Sequence, residues 1–274
     1  ICGVDAELIK EAAIKIGEAE NCCLQWGVAM DHTSEGFVTG MAAYDLMALT
    51  GNFENPGGMV NAPFAFDVNI PWSAGDDWEL CTRDLPNEDK KICGDWPANK
   101  AMHAISPDDL LVAMETGEPY PIKAMWMMQN NALACMGAAP QRIIKALQEN
   151  MDFNVVVDLF LTPTALACAD VLLPAATFAE RMGIYGHQPY LIGTINQAIE
   201  PLGEVKPDQV IMYEIGKKFG RGEGMDQWET EEEFYDFCLR KSGFDYKTLQ
   251  ERSWAFPEFE YEKHKKGLLR PDGQ

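Results

Sequence analysis

Hydrophobic residues recur with two different periods along this chain, and the changes of period mark its elements. Ile9, Ala12, Ala13 and Ile16 fall at i, i+3, i+4 and i+7, which predicts a helix over 5–19 with Asp5 as its cap. Cys22–Ala29 (CCLQWGVA) reads as a strand running into a polar turn, MDHTSEG. A second helix is expected over 37–50, with Phe37, Met41, Tyr44 and Ala48 on one face and Gly51 as its stop. From Met59 to about Pro119 the chain is rich in Pro, Gly, Asp and Trp and has little periodicity, apart from a helix after Ser106 with Pro107 in its first position. The second half is more regular. Strands are predicted at Ala124–Met128, Val155–Phe160 and Val171–Leu173, with a helix at Pro140–Asn150 and a helical turn at 164–170 between them. A glycine-rich segment follows over 180–197, then a helix over 208–219 with Ile211, Ile215 and Phe219 aligned. Thr230-x-x-Glu233 reads as the capping box of a last helix ending near Gly243, and 251–274 reads as a polar, loosely held tail. Short apolar strands alternating with helices define an α/β chain with a mainly parallel sheet flanked by helices.

Composition narrows the function classes. The 274 residues carry a formal charge of −21, which argues against a nucleic-acid backbone as partner, since such binders need a basic face. No apolar run approaches the roughly 18 residues of a membrane span. The eight cysteines form no C-x-x-C and stand at no zinc-like spacing from histidine, so they read as buried free thiols. Cys81 and Cys93 share a polar loop, and their spacing leaves a disulfide open. The chain starts directly in a helix and reads as a piece of a longer polypeptide.

Parallel strands bring their C-terminal residues to one edge of a sheet, beside helix N-termini, where nucleotides bind. Here that edge holds Gln129, Asn130 and Asn131 after one strand and Asp158 and Thr162 after the next. Asp158 can accept two hydrogen bonds from a guanine edge or a ribose diol, and Asn side chains and backbone amides can hold a diphosphate. Equally, Asp158 can cap the turn that follows it, and the asparagines can be turn formers. The glycine fingerprints G-x-G-x-x-G and G-x-x-x-x-G-K-[ST] are absent, which argues against an ordinary NAD or ATP site. His32 and His187 read as solvated loop histidines, with His32 the weak candidate for a ligand-facing group. Glu180-Arg181 reads as a local ion pair.

The stretch DLFLTPTALACADVLLPAATFAERMGIYG resembles the signature of the molybdopterin oxidoreductase family, the dimethyl-sulfoxide-reductase-type enzymes. The pattern there is Asp-x-Phe-x-Thr-x-Thr-Ala, then Ala-Asp-x-x-Leu-Pro, then Glu-x-x-Gly. GVDAELIKEAA, LMALTGNFENPGG and AIEPLGEVKPD resemble further family segments in the same order, so the likeness covers about residues 1–220. It implies Rossmann-like dinucleotide-binding domains holding bis(molybdopterin guanine dinucleotide) with molybdenum or tungsten. It also implies that Asn131, Asp158 and Thr162 contact the cofactor, and that Asp208, otherwise a helix cap, reaches the guanine. Two positions depart from the family: Ala132 replaces a proline after Asn131, and Gln129 replaces a common glycine.

On this likeness, residues 1–60 end one pterin-dinucleotide domain, 61–119 form an irregular loop region, 120–220 form a second such domain, and 221–274 are a helical and polar tail. The family's iron–sulfur segment, metal ligand and carboxy-terminal barrel are not matched by any stretch. The cluster is expected in a missing amino-terminal region, and the central piece alone should be inactive. The loop PFAFDVNIPW leans toward the branch acting on aromatic or small carbon substrates. A small-molecule substrate and an iron–sulfur electron-transfer subunit are the implied partners. The full-length protein is expected in the bacterial cytoplasm, or in the periplasm or at the membrane. The alternative is a stand-alone α/β nucleotide-binding or interaction module without redox chemistry.

Overall fold

The computed structural model describes residues 3–25, 27, 30, 33–60, 90–92, 105–135, 139–186, 191–220, 228–256 and 258–267. The chain divides into two units, one of Ile1–Ala65 with Phe256–Gln274 and the other of Phe66–Ala255. His32, His187, Cys81, Cys93 and the PFAFDVNIPW loop lie outside the described residues.

The larger unit is built on a parallel sheet. Its strands β1 (Ala124–Met128), β2 (Phe153–Asp158) and β3 (Val171–Pro174) are ordered β1-β2-β3, with Trp126 opposite Val155 and Asp158 opposite Pro174. The central strand alternates its valines between two cores. Val156 packs with Met127, Ile143, Ala146 and Leu147 on one face, while Val155 and Val157 pack with Ala175 and Ile211 on the other. Val155–Val157, buried on both faces, form the continuous apolar run of β2. The first core is closed by α3 (Pro107–Thr116), α4 (Ala132–Cys135), α5 (Pro140–Glu149) and α6 (Pro163–Cys168), and the second by α7 (Asp208–Lys218).

The strand predicted at Val155–Phe160 sits two residues earlier. It stops because the Asp158 carboxylate accepts the Leu159 amide at 2.7 Å, which takes that donor from the ladder. Leu159 and Phe160 are exposed. Ser106 occupies the N-cap of α3 without a side-chain capping bond, and Gly117 ends that helix at φ 75°. Along α7, Ile211 is buried but Phe219 is exposed.

The glycine-rich segment forms an antiparallel hairpin, β4 (Gly183–Gly186) with β5 (Ile192–Ile195). The supposed loose tail begins with its third strand, β6 (Trp254–Ala255), preceded by α8 (Glu231–Leu239) and α9 (Tyr246–Arg252). Asp245 caps α9, and Tyr246, Leu249 and Ala255 are buried with Ile192, which is why this stretch is held. Glycine is required at 193, where a Cβ would lie 2.4 Å from the Tyr185 ring and 2.7 Å from the Ser253 carbonyl oxygen.

The smaller unit carries α1 (Ala6–Glu18) and α2 (Gly36–Leu49). Asp5 caps α1 by accepting the Glu7 amide at 2.8 Å, but none of that helix is buried. On α2 the buried positions are Gly36, Ala43 and Met47 and not the predicted face, because the helix is apolar on all sides and periodicity does not single out one face. Residues 22–25 and 27 belong to no strand. The Cys22 amide is taken by the Asn52 side chain at 2.7 Å instead of by a neighbouring strand. The C-terminal segment returns here: the Glu262 amide donates to the Glu54 carbonyl at 2.7 Å, and Lys263 pairs with the buried Glu54 carboxylate at 3.1 Å.

Leu147 is 2% exposed in the first core. Leu147→Ala should cost about 2–5 kcal/mol, as large-to-small changes in packed cores do. Urea unfolding checks this, and a loss under about 0.5 kcal/mol would contradict the packing described.

Candidate functional site

Every sequence-predicted site residue among those described lies where β1 and β2 end or where α7 begins. Gln129 follows β1, and its amide extends the ladder by donating to the Val157 carbonyl at 3.1 Å. Residue 206 runs beside 175 in a parallel bridge, and α7 starts two residues later at Asp208. This brings Asp208 across the strand ends to Gln129, whose Nε2 donates to Asp208 Oδ2 at 2.7 Å. Gln129 has φ 53°, a left-handed conformation that costs a non-glycine residue about 1–2 kcal/mol. Asp208 Oδ1 is buried with no hydrogen-bond partner among the described residues. Such an orphan oxygen costs stability unless a ligand donor meets it.

Asp158 spends one oxygen on the Leu159 amide. The turn-capping reading of this residue is therefore met, and Oδ2 has no partner among the described residues. Thr162 caps α6, its hydroxyl accepting the Ala165 amide at 3.2 Å. Asn131 Oδ1 accepts a hydrogen bond from the Thr164 hydroxyl at 2.8 Å, and that hydroxyl accepts the Leu133 amide at 3.1 Å. Thr164 is fully buried, so it fixes the Asn131 side chain from below. Asn130 is exposed beside it. Leu159, Phe160 and Leu161, which directly follow β2, are exposed apolar residues. A carboxylate edge with apolar flanks can accept the N–H or O–H donors of a nucleotide while covering its flat face.

Other residues of the signature hold backbone. Asp170 Oδ2 accepts the Asn154 amide at 2.7 Å, and the Asp170 amide donates back to the Asn154 carbonyl at 2.9 Å, which locks the start of β2 to the start of β3. Glu180 does not pair with Arg181. Its two oxygens accept the Thr177 amide at 2.9 Å and the Leu202 amide at 3.0 Å, because a carboxylate only 7% exposed is better satisfied by two fixed donors than by a mobile guanidinium. Thr164, Asp170 and Glu180 were invisible as anchors in the sequence. The one signal for Thr164 was its place two residues after a capping threonine at a helix start. Among the described cysteines, Cys168 and Cys238 are buried as expected, Cys22 is half-buried, and Cys23 and Cys135 are exposed because they lie outside the packed cores. Burial pushes the Cys168 thiol up. No group of three or more His, Cys, Asp or Glu side chains among the described residues is arranged to hold a metal ion.

A three-stranded parallel sheet flanked by helices defines an α/β class of protein. The profile of the family described as Molybdopterin oxidoreductase matches residues 9–218, and the chain belongs to that family. It is 27% identical to the F420-dependent formate dehydrogenase 2 subunit alpha of Methanococcus maripaludis, the match covering 100% of this chain and 41% of that protein. It is 28% identical to the acetylene hydratase of Syntrophotalea acetylenica, covering 92% of this chain and 37% of that protein. The solved structure of acetylene hydratase from Pelobacter acetylenicus superposes with a TM-score of 0.68 at 24% identity, over 99% of this chain and 40% of that one, and so shares the fold. The chain thus spans well under half the length of these relatives. No helix among the described residues is long and apolar enough to cross a membrane.

The amides of Thr177 and then Leu202 hold the Glu180 carboxyl below the usual carboxylate range. A depressed folded pKa contributes stability that is present above the ordinary value near 4.5 and is lost as pH falls through the folded pKa. Glu180→Gln should therefore be less stable than the parent at pH 7, with the gap narrowing as pH falls below about 4.5. Urea midpoints across pH 3–7 read this. A gap independent of pH would show that the charge of Glu180 contributes nothing.

Proposed function

We propose that this chain forms the pterin-dinucleotide-binding core of a molybdenum or tungsten oxidoreductase. Its Rossmann-like unit holds the guanine dinucleotide form of molybdopterin at the ends of β1 and β2. The observation that carries the reading is the buried Asp208 Oδ1 without a partner among the described residues, in a family whose cofactor presents donor groups. The donor set fits. Asp208 and Asp158 would accept the N–H groups of guanine or the hydroxyls of ribose, Asn130, Asn131 and Thr162 would offer neutral polar contacts to the diphosphate, and Gln129 holds Asp208. None of these neutral groups adds negative charge against phosphate.

When bound, the metal–pterin group supplies oxygen-atom or two-electron exchange with substrate. The residues of this chain bind and orient it. Thr164 fixes Asn131, and the exposed Leu159 and Phe160 after β2 would shield the bound group from water. The chemistry of the whole protein goes with this reading. It takes a small-molecule substrate of the size acted on by relatives named for formate and acetylene, and it passes electrons through an iron–sulfur cluster or subunit. The family match over 9–218 sets aside the alternative of a module unrelated to redox enzymes.

In the cofactor-loaded protein, Asp158→Ala should lower guanine nucleotide and molybdenum or tungsten per chain together, by about tenfold for one lost charge-assisted bond pair. Acid release of guanine nucleotide and elemental analysis measure both. Unchanged content of each would overturn the assignment.

A further inference from the structure

Three facts meet at Gln129. Its backbone is left-handed at φ 53°, although it carries a full side chain. Its amide nitrogen is nonetheless fixed to the Val157 carbonyl at 3.1 Å. Its side chain reaches over the strand ends to a residue 79 positions away, donating from Nε2 to Asp208 Oδ2 at 2.7 Å. A strained backbone and an immobilised, long, exposed side chain both oppose folding, and they persist where they hold something in place. What they hold is one oxygen of a carboxylate whose other oxygen, Oδ1, is buried and unmet among the described residues.

We propose that Gln129 is a positioning residue for Asp208. By occupying Oδ2 it fixes the carboxylate rotamer and presents Oδ1 alone to an N–H donor of the guanine base. The inference rests on the reading of Asp208 as a nucleotide-facing group and adds a device to it. The choice of amide follows from its charge. A neutral donor orients the carboxylate without neutralising it, so Oδ1 keeps the strength of an ionised acceptor. A lysine in the same place would hold the carboxylate and also weaken its pull on the ligand. A glycine would relax the backbone and leave the Asp208 side chain to choose among rotamers, which the ligand would then have to order on binding.

The experiment is a double-mutant cycle on the cofactor-loaded protein, read by the rate at which bound guanine nucleotide is released into cofactor-free buffer and by the thermal midpoint. Gln129→Gly should speed release by about threefold to tenfold, the loss expected for one hydrogen bond. Its thermal midpoint should stay level or rise, because glycine adopts the left-handed backbone without strain. Asp208→Ala should also speed release, and adding Gln129→Gly to it should change release no further. Parent-like release from Gln129→Gly beside fast release from Asp208→Ala would overturn the positioning role while leaving the role of Asp208 intact. Two effects that multiply in the double variant would overturn it too, since Gln129 would then act without Asp208. Parent-like release from Asp208→Ala itself would remove the underlying reading and this inference with it.

Discussion

The structure depends on the pairing of β2 with a parallel strand on each side. Val155, Val156 and Val157 are only 7%, 0% and 0% exposed, so this strand cannot slip by one residue without moving valines between two packed cores. That constraint sets where β2 ends. Asp158 is fixed opposite Pro174, Gln129 is pinned by the Val157 carbonyl, and the segment before Asp208 is drawn alongside residue 175. The candidate site is a consequence of register: residues from three separate stretches of sequence meet because three stretches of backbone run parallel.

The polar residues of the same region divide into two groups by what their atoms meet. Glu180 and Thr164 are buried and spend their oxygens on backbone amides and, for Thr164, on Asn131, while the exposed Asp170 gives Oδ2 to the Asn154 amide. Asp158 and Asp208 each keep an oxygen that no described residue satisfies. A sequence pattern that contains them therefore mixes buried groups that hold backbone, such as Glu180 and Thr164, with carboxylates that keep an open acceptor at the strand ends, and hydrogen-bond accounting shows the difference where spacing alone cannot.

Much of the larger unit was legible in the sequence because its elements are short and strongly patterned. Ala124–Met128 is a strand as read, Pro163–Cys168 is the helical turn, and Asp208–Lys218 is a helix within a residue of its predicted end. What failed depended on partners remote in sequence. Residues 22–25 have the composition of a strand but meet the Asn52 side chain. The face of α2 could not be chosen by periodicity because the helix is apolar all round. Trp254–Ala255 looked like tail because its value comes from β5, sixty residues earlier in the chain. At the site, the chemistry of Asp158 and Asp208 was readable as residue type, whereas the Gln129–Asp208 bond and the Thr164–Asn131 bond exist only through the fold.

Hydrogen–deuterium exchange with and without the bound pterin dinucleotide tests the central claim most directly, that the strand-end carboxylate edge is the face that meets the cofactor. The account predicts slower exchange on binding for amides in 129–131, 158–162 and 206–210, with Val155–Val157 slow in both states. Unchanged exchange in all three segments, with protection appearing elsewhere in the chain, would contradict it.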